Sequence, residues 1–324
     1  MDTVKIPHRL TSVRKAFDTG ILMDYHRGKN EAEIDILEEA GLRTRKAKFK
    51  KILDADPEFY LLYHCTNISA AWLSFLAGAL VEDFSDTSVD HQPSDEQVAA
   101  LAFFSRLAND LWAIIELTEM GFDLQARTLS RGYLEHVDVL ICCIHDRELT
   151  KQFVNAIEPE AANAFWHKHI SKNKAKLKVS NIIGVALGIG KTDIVDRLRE
   201  DADLAGSSLI HPTILAGLST AFGIEDGDYD SYPIFPTPIA ASVGIFRSIL
   251  IHLMWLWFAM GTLPKIKYGE WKGIFQSNRM LDNEAIDELS ELNQRMIDFL
   301  LEHQLLMLVG DGDADAAGEH YSPL

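Results

Sequence analysis

Cysteine is scarce: the 324 residues hold three, Cys65, Cys142 and Cys143. Two of them are neighbours, and neighbours on one helix cannot bridge without strain. A disulfide framework and a paired-cysteine metal motif are excluded, a usage that fits a reducing cytoplasm. Positive charge is also short, with 31 Lys and Arg against 48 Asp and Glu and a formal charge of −17. That balance excludes general, field-driven attraction to nucleic acid and leaves room only for a local basic patch. Strand-like alternation is missing throughout, as is any fixed-period repeat. The opening residues "MDTVKIPHRLTSVRKAF" contain no apolar core and are not expected to act as a signal peptide.

Apolar residues are plentiful, 47% of the chain against 24% charged, enough to bury a sizeable core. Phe59 to Val81 contains no Asp, Glu, Lys or Arg, and Ile239 to Leu263 is interrupted by Arg247 and His252. Either is long enough to span a bilayer. The first, however, carries His64, Thr66, Asn67, Ser69 and Ser74 in its body, and neither has a clear positive-inside flank. The expectation is two central helices buried on all sides, with no membrane and a cytoplasmic location.

Helical periodicity dominates the rest. Glu31 to Ala40 reads as a short helix and Leu42 to Leu53 as a basic one. Pro57 opens a third, running to about Glu82. Ser94 with Gln97 forms a capping box that starts a helix to about Met120, where Gly121 breaks it. The next helix ends near His145, and Leu149 to Lys176 holds one or two more. Thr192 can cap a helix from Asp193 to about Ala205. Asp282 to Val309 is the last long helix. Its seam of Ile286, Leu289, Asn293, Met296, Leu300, His303 and Met307 has two polar members. The spacing predicts an all-α fold: residues 1–56 as a helical extension, 57–309 as one large multi-helix bundle, and 310–324 as a disordered acidic tail.

Familiar motifs fail on spacing. "GVALGIGKT" lacks the glycine a phosphate loop needs five places before Gly190: Val185 stands there, and Gly184 is one place early. "DGDAD" has Ala316 and Ser322 where a calcium loop needs glycine and glutamate. His167 and His169 diverge on a helix, and Glu116 with Glu119 lacks a following Glu-x-x-His. No metal or cofactor is implied.

The sharpest signal is "RGYLEH", Arg131 to His136, within "DLQARTLSRGYLEHVDVLICCIHD". Arg131 and Glu135 are four apart and can pair on one face. With apolar residues on both sides, the pair is expected to be buried and structural. Arg131 and His136, with four residues between, resemble the Arg-x(4–6)-His motif of the HEPN (higher eukaryote and prokaryote nucleotide-binding) proteins. The stretch "ARTLSRGYLEHVDVL", with "SSLIHPT" further on, resembles uncharacterised all-helical bacterial proteins grouped near that family. The similarity covers Leu101 to Leu218.

That resemblance implies a metal-independent ribonuclease of toxin–antitoxin or anti-phage defence, usually with a site shared across a dimer. His136 would act on a ribose 2′-hydroxyl, and the Arg131 fork would stabilise the phosphate. Glu135 and His211, the latter beside Pro212, would complete the polar cluster. The motif departs from the family at Gly132, where a polar residue is usual, and in lying centrally. A gap of five positions also turns the two side chains about 140° apart on an ideal helix. Two basic runs offer RNA contacts: Arg43, Arg45, Lys46 and Lys48 in "RTRKAKFKK", and Lys172 and Lys174 in "HKHISKNKAKLK". The alternative, of a different class, is a non-catalytic helical module that senses a ligand or holds a partner.

Overall fold

The computed structural model describes residues 42–85, 92–186, 236, 238–261, 269–271, 274–275, 284–303 and 305–306. The expected helices at Glu31–Ala40 and Asp193–Ala205, the Gly190-Lys191-Thr192 turn, His211 and the acidic tail lie outside these residues.

Nine α-helices stand among the described residues, with no strand: α1 (Leu42–Ala55), α2 (Pro57–Ser85), α3 (Asp95–Glu119), α4 (Asp123–His145), α5 (Arg147–Val154), α6 (Pro159–His169), α7 (Lys174–Ala186), α8 (Val243–Met260) and α9 (Glu284–Glu302). Their ends follow local chemistry. Asp56 stops α1 and caps α2, its carboxylate accepting from the amides of Glu58 at 2.9 Å and Phe59 at 3.1 Å. The capping box at Ser94 and Gln97 opens α3, with both reciprocal bonds in place. Gly121, at φ 78°, closes α3 in the left-handed conformation that glycine adopts without strain. Asp146 then caps α5 by accepting from the amide of Leu149 at 3.0 Å.

Four helices close a ring: α2 packs on α3, α3 on α4, α4 on α8, and α8 on α2. Around it, α9 lies against α2, α7 against α4 and α8, α5 against α3 and α4, and α1 against α2. Cross-ring contacts fix the directions. Tyr63 donates to Glu119 at 2.7 Å and Trp112 to Ser74 at 3.1 Å, so α2 and α3 run antiparallel. Glu58 pairs with Arg247 near one end and Trp72 meets Trp257 at 5.8 Å further along, so α2 and α8 run parallel. The core between them is aromatic, with Trp72, Phe59, Phe103, Phe104 and Phe246 fully enclosed. The predicted α9 seam is spent inside the chain. Asn293, Met296 and Leu300 are buried, and Asn293 accepts from Ser69 of α2 at 3.3 Å, while His303 stays exposed.

Three ring walls, Pro57–Glu82, Asp95–Glu119 and Val243–Met260, are long and apolar enough to cross a membrane by length and composition. This overturns the expectation of a membrane-free, purely cytoplasmic protein. Two of them are the stretches taken for core helices, and a third of the same kind joins them. Three of the five polar residues set against spanning bond within their own helix, and Ser69 bonds to α9. Thr66 donates to the Leu62 carbonyl at 2.7 Å, Asn67 to Tyr63 at 2.9 Å and Ser74 to Ala70 at 2.8 Å. Such side chains carry little cost in apolar surroundings, so their presence does not separate a core helix from a spanning one.

Candidate functional site

Helix α4 is the ring wall with a charged face. Arg131, Glu135 and Asp138 recur at four and three positions, so they line one side of the helix. The opposite side, with Tyr133, Val137, Leu140 and Ile144, is buried in the ring. The charged side looks onto the α6–α7 turn, and between them lies a cavity of about 410 Å³. Its other wall carries Trp166, Ser171, Lys172, Asn173 and Lys176.

The turn is shaped by two consecutive non-glycine residues in the left-handed region, Lys172 at φ 58° and Asn173 at φ 61°. That conformation is uncommon for any residue but glycine and costs conformational energy. Capping helps to hold it: Lys174 reaches back to accepting carbonyls of α6, His167 at 2.7 Å and Lys168 at 3.2 Å. Ser171 donates to the His167 carbonyl at 2.8 Å. Of the two lysines here expected to meet RNA phosphate, Lys174 is engaged in a helix cap and Lys172 lines the cavity. Nearby, burial first and then the Lys168 and Lys178 charges hold the His169 imidazole below its ordinary value.

The charge balance of the cavity is mixed. Arg131, Lys172 and Lys176 supply cations, Glu135 and Asp138 carboxylates, and Trp166 an indole face that is partly exposed. Arg131 and Glu135 approach to 3.8 Å with side chains 44% and 48% exposed, so they are not the buried pair that the sequence pattern suggests. Their neighbours on the same face are covered by α6 and α7, but the two heads reach into the open cavity. An exposed pair at this distance contributes little to stability and stays free to re-pair with a ligand.

The structure separates the residues that spacing had grouped. His136 is half-buried, off the cavity wall, and its Nδ1–H donates to the Gly132 carbonyl at 2.6 Å. Gly132 sits in regular helix, with open space where a Cβ would project, and introduces no kink that would bring Arg131 and His136 together. Arg45, Lys46 and Lys48 lie on α1, remote in sequence from the cavity and absent from its lining, and Arg43's side chain lies outside the described residues. Among the described residues, no group of His, Cys, Asp or Glu is placed to hold a metal. Asp138 was readable from its seven-residue spacing to Arg131; Ser171, Asn173 and Lys176 were not, because the left-handed turn that presents them has no glycine to announce it.

No protein-family model, curated protein or solved structure matches the chain. The expected resemblance to HEPN proteins is corrected by the helices around the motif: the ring has three walls of membrane-crossing length and composition. The assignment as a cytoplasmic ribonuclease falls with it.

Proposed function

We propose that the chain is a membrane-embedded helical sensor whose ligand enters the cavity between α4 and the α6–α7 turn. The cavity carries the reading. It joins three cations, two carboxylates and an indole in about 410 Å³, space enough for a small polar metabolite. Charges of both signs in the lining suit a small zwitterion: an anionic group against Arg131 and Lys172, and a cationic group against Glu135. The Trp166 face adds cation–π attraction for the latter.

Ligand binding is tested by thermal unfolding of the detergent-solubilised chain with a panel of small zwitterions and small anions. A ligand at a hundredfold its Kd should stabilise the fold by about 2.7 kcal/mol. Arg131→Gln and Trp166→Ala, both on partly exposed side chains, should fold normally and lose the shift. A panel without effect, or equal shifts in wild type and both variants, would remove the cavity from the account.

A further inference from the structure

Basic residues in this acidic chain gather in two runs, and the denser one flanks the start of α2. Residues 43–51 hold six, Arg43, Arg45, Lys46, Lys48, Lys50 and Lys51, and the next Lys or Arg is Arg106. Between α2 and α3 the pattern inverts, with six Asp or Glu from Glu82 to Glu96 and no Lys or Arg. The α2–α3 pair is thus flanked by positive charge at one end and negative charge at the other. The positive-inside asymmetry, not evident for the apolar stretch alone, appears once α1 is counted as its flank.

Helix α1 is also held in place for such a role. Only Asp56 separates it from α2. Phe49 is buried and meets Phe59 at 5.6 Å and Tyr63 at 5.1 Å, edge to face, which clamps α1 to the start of α2. Arg45 lies over the Phe122 ring at 5.6 Å, on the link between α3 and α4. The outward face carries Lys46, Lys50 and Lys51. Lys50 pairs with Asp54 at 2.8 Å, but both side chains are well exposed, so the pair competes weakly with another anion. RNA fits this face poorly: Phe49 is the run's one aromatic, and its ring is packed inward, unavailable for stacking on bases.

We propose that α1 docks on an anionic lipid leaflet, with Lys46, Lys50 and Lys51 against the headgroups at the end of the bundle where α2 begins. The helix then orients the bundle as well as holding it, because the run of lysines flanks the start of α2, whereas at the far end Arg147 is paired with Glu96 at 2.9 Å. This inference does not depend on the cavity.

The test uses the full chain with Ala47→Cys, an exposed α1 position, carrying a polarity-sensitive fluorophore. The native cysteines Cys65, Cys142 and Cys143 are buried and stay unlabelled. The chain is reconstituted into phosphatidylcholine vesicles, with or without phosphatidylserine. Emission should shift to the blue only with phosphatidylserine, and salt should reverse the shift. Each exposed lysine near an anionic surface strengthens attraction roughly fivefold, so Lys46→Gln, Lys50→Gln and Lys51→Gln together should weaken it roughly a hundredfold. Equal emission in both vesicles, or an unchanged triple variant, would overturn the proposal. A response to an RNA oligonucleotide in phosphatidylcholine vesicles, with none to phosphatidylserine, would assign the helix to nucleic acid instead. Ligand shifts at the cavity are read separately and stand or fall on their own.

Discussion

Single residues in this bundle are quieted by their immediate neighbours. His252 shows it on α8, its Nδ1–H donating to the Ser248 carbonyl one turn back at 2.8 Å. The adjacent thiols of α4 show it by burial. Both Cys142 and Cys143 are pushed up to about 12, burial being the main cause, with Asp146 nearby adding to it. The fold therefore holds the neutral thiol. An unfolded chain releases these protons near the ordinary thiol value of about 8.5 and so binds fewer of them above it. Stability should be fully present below that pH and fall as pH rises from there toward about 12. The same burial predicts that a thiol reagent at pH 8 leaves the native protein unmodified and titrates all three cysteines after denaturation. Rapid labelling of Cys142 or Cys143 in the native state would contradict their placement.

Elements whose ends are written in side chains were legible in the sequence. Ser94, Gln97 and Gly121 announced both ends of α3, and the seam of Asn293, Met296 and Leu300 announced the buried side of α9. Ser94→Ala removes the hydroxyl that accepts from the Gln97 amide and should cost about 1 kcal/mol, read as a lower unfolding midpoint. An unchanged midpoint would mean that packing alone sets the start of α3. Other elements were illegible for physical reasons. The left-handed pair Lys172–Asn173 has no sequence signature, so the cavity it shapes had none either. Arg131 and Glu135 were recognised as a pair, but whether a face is covered depends on α6 and α7, which periodicity on α4 cannot report. α3 escaped notice as a candidate crossing because Arg106 and Asp110 interrupt its apolar run. The two pair within the helix at 2.7 Å, which offsets part of the cost of their charge.

At the scale of the molecule, connectivity and direction agree with three crossings. If α2 crosses one way and α3 returns, the chain must come back to the same side before α8 can cross. It does: Ser242, just before α8, donates to Asp123 at the start of α4 at 2.6 Å. The segment between α3 and α8 therefore begins and ends at one end of the bundle. The same composition would serve a helix buried in a water-soluble core, since more than half of each candidate crossing is enclosed by its neighbours. Outward-facing Tyr60, Phe75 and Val81 of α2 and Trp112 of α3 are what lipid would cover. Alkaline carbonate extraction of membranes from cells making the untagged chain tests this most directly. The account predicts that the protein stays in the membrane pellet through carbonate and high salt and leaves it only with detergent. Its recovery in the supernatant of a detergent-free lysate, folded and without membrane, would contradict the embedded bundle.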